Sequence, residues 1–273
     1  MSVRIKSLNI NLWKQGDDEG DQEFCERKRN VWKVILDGII RPMDQETVLL
    51  LQEVPGREKD KAFRKMLRDD LADEFDIIAG FEASYQALET VVIARRGLIG
   101  EIDSIPDDFS KQGRKNRYVP FVIHSEARDI NALAVHAGLD GDPAGAEEIV
   151  SKLKLLESLG AKYDIIAGDF NSGLELSPSR NSAGGVDGKL KNKLHYCSLL
   201  NGGRFRDAIG DRTKTYKPNR NRPPLTSIDH ILVGDGLSVA DPKVVFLEDD
   251  EKFEVRGHIF DHALIQAVVS VER

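Results

Sequence analysis

At 273 residues, 40% hydrophobic and 31% charged, the chain can bury a substantial core and has the composition of a soluble globular protein. A net charge of −7 and a pI near 5.5 argue against a protein that coats nucleic acid nonspecifically. No apolar run approaches the roughly 20 residues of a membrane span; with a strand-like segment from Val3, no signal peptide is expected; and Cys25 and Cys197 are too few for a disulfide framework, so a cytoplasmic setting is expected.

Taken in chain order, Val3 to Ile10 reads as a strand running into a polar loop, Trp13 to Gln22. Phe24 to Ile40 has helical spacing, with Val31, Ile35 and Ile39 on one face. Thr47 to Val54 is an almost continuous apolar strand that ends in Gln52-Glu53, and Pro55-Gly56 stops it. Lys59 to Leu71 reads as a charged surface helix, followed by short strands at Phe75–Ala79, Thr90–Ala94, Tyr118–His124 and Ile130–His136. Gly145 to Leu159 is amphipathic, with Ile149, Leu153, Leu156 and Leu159 facing inward. Tyr163 to Ala167 is a buried strand closed by the turn Gly168-Asp169-Phe170-Asn171, after which residues 172–195 form a long Ser/Gly/Lys-rich loop. Strands at Thr226–Val233, Val239–Leu247 and Ala263–Val271 complete the chain. No linker, repeat or shift in composition divides it, so one domain over 1–273 is expected, with two packed sheets and helices on their outer faces.

Basic residues collect between these strands. Lys111 to Arg117 carries four of them and no acid, Arg204 to Arg222 carries seven against Asp207 and Asp211, and Lys189, Lys191 and Lys193 form a third run. Acidic residues gather elsewhere, at Glu248 to Glu251. Each basic run alone is a solvated loop as readily as a binding surface. Their placement between the strands suits a rim that faces a polyanion.

Several segments end a hydrophobic run with residues suited to holding a divalent metal against a phosphate: LNIN (8–11), LLLQEV (49–54), IIAGDFN (165–171), SIDHIL (227–232) and FDHALI (260–265). Carboxylates and amide oxygens are the hard ligands Mg²⁺ or Mn²⁺ prefers, and polar groups at several strand ends can converge on one point. The ordered set resembles the endonuclease/exonuclease/phosphatase superfamily, which includes deoxyribonuclease I, and the resemblance runs from Asn9 to His262. It implies an α/β fold, a four-layer α/β/β/α sandwich of two mixed sheets with the active site at one end.

The same resemblance implies roles. Glu53 and Asn9 would hold the metal, Mg²⁺ or Mn²⁺, with Asp261 as a further metal-side carboxylate and Asn11 on the face of Asn9. Asp169 would orient or deprotonate the attacking water, and Asn171 would contact the scissile phosphate or the metal; in-line attack on phosphorus needs a placed water and donors for the developing charge. Asp229 and His262 correspond to a carboxylate–histidine pair, in which the carboxylate fixes the tautomer and favours the charged ring. His136 matches a second acid–base histidine, with Glu89 as a possible partner, and Arg117 and Tyr118 are candidates for substrate phosphate. Alternation turns His230 to the opposite face, where a structural role is expected. Phe260 stands where most members have serine, and Val91-Val92-Ile93-Ala94 lacks the glycine usual at that strand. The expected activity is metal-dependent phosphodiester hydrolysis, by a nuclease or by an enzyme acting on a small phosphorylated metabolite, an inositol phosphate or a lipid head group. A monomer with no membrane association is expected.

Overall fold

The computed structural model describes residues 2–12, 20–55, 61–79, 88–102, 117–137, 149–151, 153–154, 162–171, 173, 196–210, 213–217, 223–224, 226–256 and 258–272. Two six-stranded mixed sheets dominate it. The first contains β1 (Ser2–Asn9), β2 (Thr47–Pro55), β3 (Phe75–Ala79), β4 (Leu88–Arg95), β11 (Leu237–Val245) and β12 (Leu264–Val271), in the order β11-β12-β1-β2-β4-β3. The second contains β5 (Ile99–Glu101), β6 (Tyr118–Ile123), β7 (Ile130–His136), β8 (Ile165–Asp169), β9 (Phe205–Asp207) and β10 (Asp229–Gly234), in the order β5-β6-β7-β8-β10-β9. Each sheet has one parallel pair at its centre, β1 with β2 and β7 with β8.

Alternation sorts the side chains of each strand into layers. Val3 and Ile5, Val48 and Leu50, Ala132 and Ala134, and Ile165 and Ala167 share the apolar core between the sheets. On the far face of the first sheet, Leu8, Leu49, Leu51 and Ile93 meet Val31, Trp32 and Ile35 of α1 (Asp21–Ile35) and Leu67 of α2 (Lys61–Leu71). On the far face of the second, Leu133, Val135, Ile166 and Leu232 meet Ile149, Leu153 and Tyr196 from helical segments. The result is the expected α/β/β/α sandwich. Each fully buried aliphatic side chain contributes about 1.5–3 kcal/mol relative to exposure, so core burial outweighs the cost of a polar cluster at one end.

The helix expected over 24–40 begins at Asp21, and its last turn, Leu36–Ile40, is a π-helix. There Gly38 lies beneath the Phe253 ring, where an added Cβ would sit 2.7 Å from Cε1. The strand expected at 163–167 is displaced to Ile165–Asp169. The expected loop 172–195 falls outside the described residues except for Gly173, and so do 111–116, Lys189, Lys191 and Lys193. The described part of the basic run at 204–222 is partly engaged within the fold. Lys217 is buried against Asp249 (2.9 Å), and Arg204 donates to the Tyr163 carbonyl (3.2 Å).

Candidate active site

At one end of the sandwich the core turns polar without leaving its strand register. Asn9 continues the inward-facing series Val3, Ile5, Ser7 on β1; His136 continues Ala132 and Ala134 on β7; Asp169 continues Ile165 and Ala167 on β8; Asp229 precedes Ile231 and Val233 on β10. Pairing aligns them across strands: Asn9 with Gln52, His136 with Asp169, and Asp229 with Asp169. All are buried. Buried polar groups persist only when bonded to one another or to a ligand.

Glu53 reaches this group by a break in alternation. Leu51 pairs with Val91, but Val54 pairs with Glu89, so β2 carries one extra residue, a bulge, with Glu53 at φ 57° in the left-handed region. Without the bulge its neighbour Val54 would face inward; instead Val54 joins the outer layer, and Glu53 Oε1 lies 3.5 Å from His136 Nε2. Asn11 (φ 47°) and Asn171 (φ 48°) take the same conformation just past β1 and β8. Such backbone costs about 1–3 kcal/mol per residue and marks places where function constrains the chain.

Asp169 is the hub. Its Oδ2 accepts from Asn9 Nδ2 (3.0 Å) and lies 3.9 Å from both His136 Nε2 and His262 Nε2. Its Oδ1 accepts from the Asn171 backbone N–H (2.7 Å), while Asn171 Nδ2 donates to the Ala137 carbonyl (2.9 Å). Gly168 allows this geometry: at φ 140°, a Cβ there would lie 2.0 Å from the Val135 carbonyl oxygen. His262 Nδ1 sits 3.0 Å from both oxygens of Asp229, which leaves Nε2 directed at Asp169.

Burial sets the electrostatics, and neighbours correct it. It lowers His136 to about 4, reinforced by Arg117 and His262 and opposed by Asp169. It also opposes charge on His262, but Asp229, Asp169 and Asp261 outweigh it and push that imidazole up to about 10. One histidine is therefore neutral at pH 7 and the other cationic. Burial pushes Glu53 up to about 7, against His262 and with help from Asp169 and Asp261. Asp169 and Asp261 are likewise held above the ordinary carboxylate range by burial, with His262 opposing.

The structure brings together Asn9, Glu53, His136, Asp169, Asn171, Asp229, Asp261 and His262. Several expectations need correction. Asn11 lies beyond the end of β1 and donates its backbone N–H to Asn9 Oδ1 (3.0 Å), so strand alternation does not place it. Tyr118 is 3% exposed and packs in the outer apolar layer with Leu133 and Val135, which removes it from the cleft. Arg117 donates to the Ala137 carbonyl (3.4 Å), the same carbonyl that holds Asn171, so it touches the site's frame. The Glu89 side chain lies outside the described residues. His230 faces the outer layer as expected. Phe260 is buried against the far face of the first sheet, edge-on to His258.

Two neighbours went unread in the sequence. Thr215 Oγ1 accepts the backbone N–H groups of Ile228 (3.2 Å) and Asp229 (3.0 Å), which anchors the carboxylate of the pair. The Tyr216 ring stands edge-on to His262 with centroids 5.1 Å apart. Burial, together with Asp261, Asp169 and Glu53, holds its phenol above the usual value. Their segment joins the site through isolated bridges of Tyr216 with Thr226 and His262, too short to leave a strand period. The dipeptide Thr215-Tyr216 just before the SIDH segment was the available signal.

Asp169, Asp229 and His262 offer atoms within 4.8 Å of one another, the spacing of a metal cage. A protonated imidazole has no lone pair to give, however, and its Nδ1 is already committed to Asp229. The set that fits a hard dication is oxygen-rich instead: Glu53, Asn9 and Asp261, whose buried Oδ1 has no hydrogen-bond partner.

A family model described as the Endonuclease/Exonuclease/phosphatase family matches residues 10–251, and the chain belongs to that family. Its fold is similar to an endonuclease/exonuclease/phosphatase family protein from Bacteroides thetaiotaomicron (TM-score 0.63, 14% identity, covering 100% of this chain and 99% of that one). It is also similar to D. rerio TDP2 complexed with a single-strand DNA product (TM-score 0.59, 14% identity, 99% of each chain). A third likeness is to the endonuclease domain of TRAS1, a telomere-specific non-LTR retrotransposon (TM-score 0.56, 13% identity, 99% of each chain). No curated protein matches the chain. Among the described residues no helix is long and apolar enough to cross a membrane.

Proposed function

We propose that this protein is a divalent-metal-dependent phosphodiesterase whose substrate is nucleic acid. The carrying observation is the pair of histidines set symmetrically about Asp169 Oδ2, both at 3.9 Å, one neutral and one cationic. Asp169, held above the ordinary carboxylate range, is the base that places and deprotonates water. Cationic His262 stabilises charge developing on the phosphoryl oxygens or protonates the leaving oxygen, and Asp229 keeps it oriented and charged. Neutral His136 faces Glu53 and Asp169 with Nε2 at 3.5 and 3.9 Å and lines the site without adding charge. Asn171 orients a phosphate oxygen beside the turn. Glu53, Asn9 and Asp261 would hold Mg²⁺ or Mn²⁺, which supplies charge neutralisation at the phosphate and activation of an oxygen.

Nucleic acid is supported by the single-strand DNA product bound to the similar TDP2 and by the endonuclease domain of TRAS1. A small phosphorylated metabolite is the second reading. The net charge of −7 and the internal use of Lys217 and Arg204 favour it. Two free cysteines suit a cytoplasmic setting for either.

The test is Mg²⁺- and Mn²⁺-dependent turnover on single- and double-stranded DNA, RNA, bis-p-nitrophenyl phosphate and inositol phosphates, with Asp169→Ala alongside. Oligonucleotide cleavage abolished by EDTA and by the substitution is the expected result. Phosphate release from monoesters alone would move the protein to the metabolite reading. Turnover that survives EDTA would overturn the metal-dependent mechanism.

A further inference from the structure

Behind the catalytic end, the outer apolar layer of the second sheet holds a polar group that the chemistry above does not use. His230 follows Asp229 on β10, so alternation turns it to the outer layer, against the Phe170 and Tyr196 rings. Its Nδ1 lies 2.7 Å from Asp207 Oδ2 on β9, and the Tyr196 hydroxyl donates to the same oxygen at 2.8 Å. Asp207 Oδ1 accepts the Ile209 backbone N–H at 3.0 Å. Burial alone would raise Asp207, but His230, Tyr196 and that amide hold it below the usual range, so the imidazole Nδ1 is the donor. Apolar residues of the same size would fill this layer with no desolvation cost. A stability argument alone therefore does not explain the network.

What the ring touches does. Phe170, between Asp169 and Asn171, stands edge-on to His230 with centroids 5.2 Å apart, and its N–H donates to the Ile228 carbonyl at 2.8 Å. Two residues past Asn171, Gly173 lies so close that an added Cβ would be 3.3 Å from His230 Nε2 and 1.9 Å from the Ser227 carbonyl oxygen. The imidazole thus contacts the catalytic turn at Phe170 and again where the chain leaves it. Both of its freedoms, ring tilt and rotation, are removed by Asp207 and by the Tyr196 ring 4.5 Å away.

We infer that Tyr196, Asp207 and His230 are positioning residues that brace the Asp169–Asn171 turn from behind, through Phe170 and Gly173. The inference rests on the catalytic reading of that turn. It predicts an effect on turnover rather than on substrate affinity, because the network lies on the far side of the sheet from the substrate. Displacing a reacting group by about 1 Å costs on the order of a hundredfold in rate, so partial loosening sits below that.

The experiment joins steady-state kinetics with amide hydrogen exchange by NMR on Tyr196→Phe, Asp207→Asn and His230→Leu. Tyr196→Phe keeps the ring packing and removes the hydroxyl's contacts with Asp207 Oδ2 (2.8 Å) and His230 Nδ1 (3.0 Å), so it remains informative if His230→Leu folds poorly. The expected result for Tyr196→Phe is kcat lowered roughly tenfold with KM within about twofold. Exchange at the Phe170 and Asn171 amides should accelerate while the Ile166 and Leu232 amides stay protected. Unchanged kcat and exchange would overturn the inference. Lower kcat without faster exchange at the turn would overturn the route through Phe170, and uniformly faster exchange would reduce the network to a stability role. If the wild type cleaves nothing on the panel yet the turn still loosens, the catalytic reading fails and the bracing stands.

Discussion

Replacing Asp229 by asparagine keeps the shape beside His262 and removes the charge. Moving a histidine from 6.5 to about 10 corresponds to about 5 kcal/mol in favour of the imidazolium, gained against burial. Asp229 is the leading favourable partner, with both oxygens 3.0 Å from Nδ1, whereas Asp169 is 3.9 Å from Nε2. In Asp229→Asn the burial that lowers His262 should win, and the ring should titrate below about 7. The metal-free protein is the right sample, with ¹⁵N shifts of the His262 ring followed from pH 5 to 11. The wild-type ring should remain doubly protonated up to about pH 10. At pH 8 the variant should lose on the order of 10²–10⁴ in kcat, the range for removing a correctly charged acid–base group.

Stability follows the same titration. A raised histidine stabilises the fold fully below its unfolded value of 6.5, and that contribution is lost as pH rises through about 10. The variant should therefore unfold more easily than wild type by about 3 kcal/mol at pH 8, with the gap narrowing by pH 10. A His262 ring that still titrates above pH 9 in Asp229→Asn would refute the claim that this carboxylate is what charges it.

Glu53 follows the same sign of linkage in the metal-free protein, but its replacement has the opposite effect on stability. Raised from 4.5 to about 7, it favours the fold most below 4.5, and that advantage is lost as pH rises through about 7. Glu53→Gln should then stabilise the metal-free protein at pH 8 by about 3 kcal/mol while abolishing metal-dependent turnover, and a variant less stable than wild type would refute this. Calorimetry in buffers of different ionisation enthalpy should show wild type releasing a proton as Mg²⁺ binds below pH 7, with Glu53→Gln releasing less. Gly168→Ala places a methyl 2.0 Å from the Val135 carbonyl oxygen and should cost more than about 3 kcal/mol by thermal unfolding. Tyr216→Ala removes the ring edge-on to His262 and should lower kcat roughly three- to tenfold, whereas Tyr216→Phe should stay near wild type.

Asn9, His136, Asp169 and Asp229 stand at or just past the ends of apolar runs that are readable in the sequence, and in the structure each extends an inward-facing apolar series on its own strand. Glu53 and His262 were readable only through their motifs. Period-two counting puts Glu53 with Leu49 and Leu51 on the outer face, and a bulge that no local pattern announces brings it in. His262 shares the parity of Phe260 and Leu264, both outer-layer residues, and reaches Asp229 only because 261–263 pairs with 215–217 before β12 begins. The three-residue strands β5 and β9 are too short to show a period, so Asp207 was counted as a loop acid within a basic run. Tyr118 misled for the converse reason: a tyrosine at a strand start near a basic segment suits a phosphate contact, but its register with Val135 commits it to the outer layer.

Charge and strain at this end of the sandwich point the same way. Among the described residues Glu53, Asp169, Asp229 and Asp261 gather around the cationic His262 at a largely buried end of the sandwich, and three of the four carboxyls are held above their ordinary range. Without metal the site relieves that excess by retaining protons. A dication would relieve it better, since one ion would offset two charges and satisfy the Asp261 oxygen, so the burial that disfavours ionised carboxyls here should also favour divalent over monovalent ions. The left-handed backbone at Asn11, Glu53 and Asn171 lies at or beyond strand ends or in a bulge, so strain that aims these side chains leaves the ladders behind them intact. The core that tolerates this strain is the same apolar series that delivers the polar residues to the cleft.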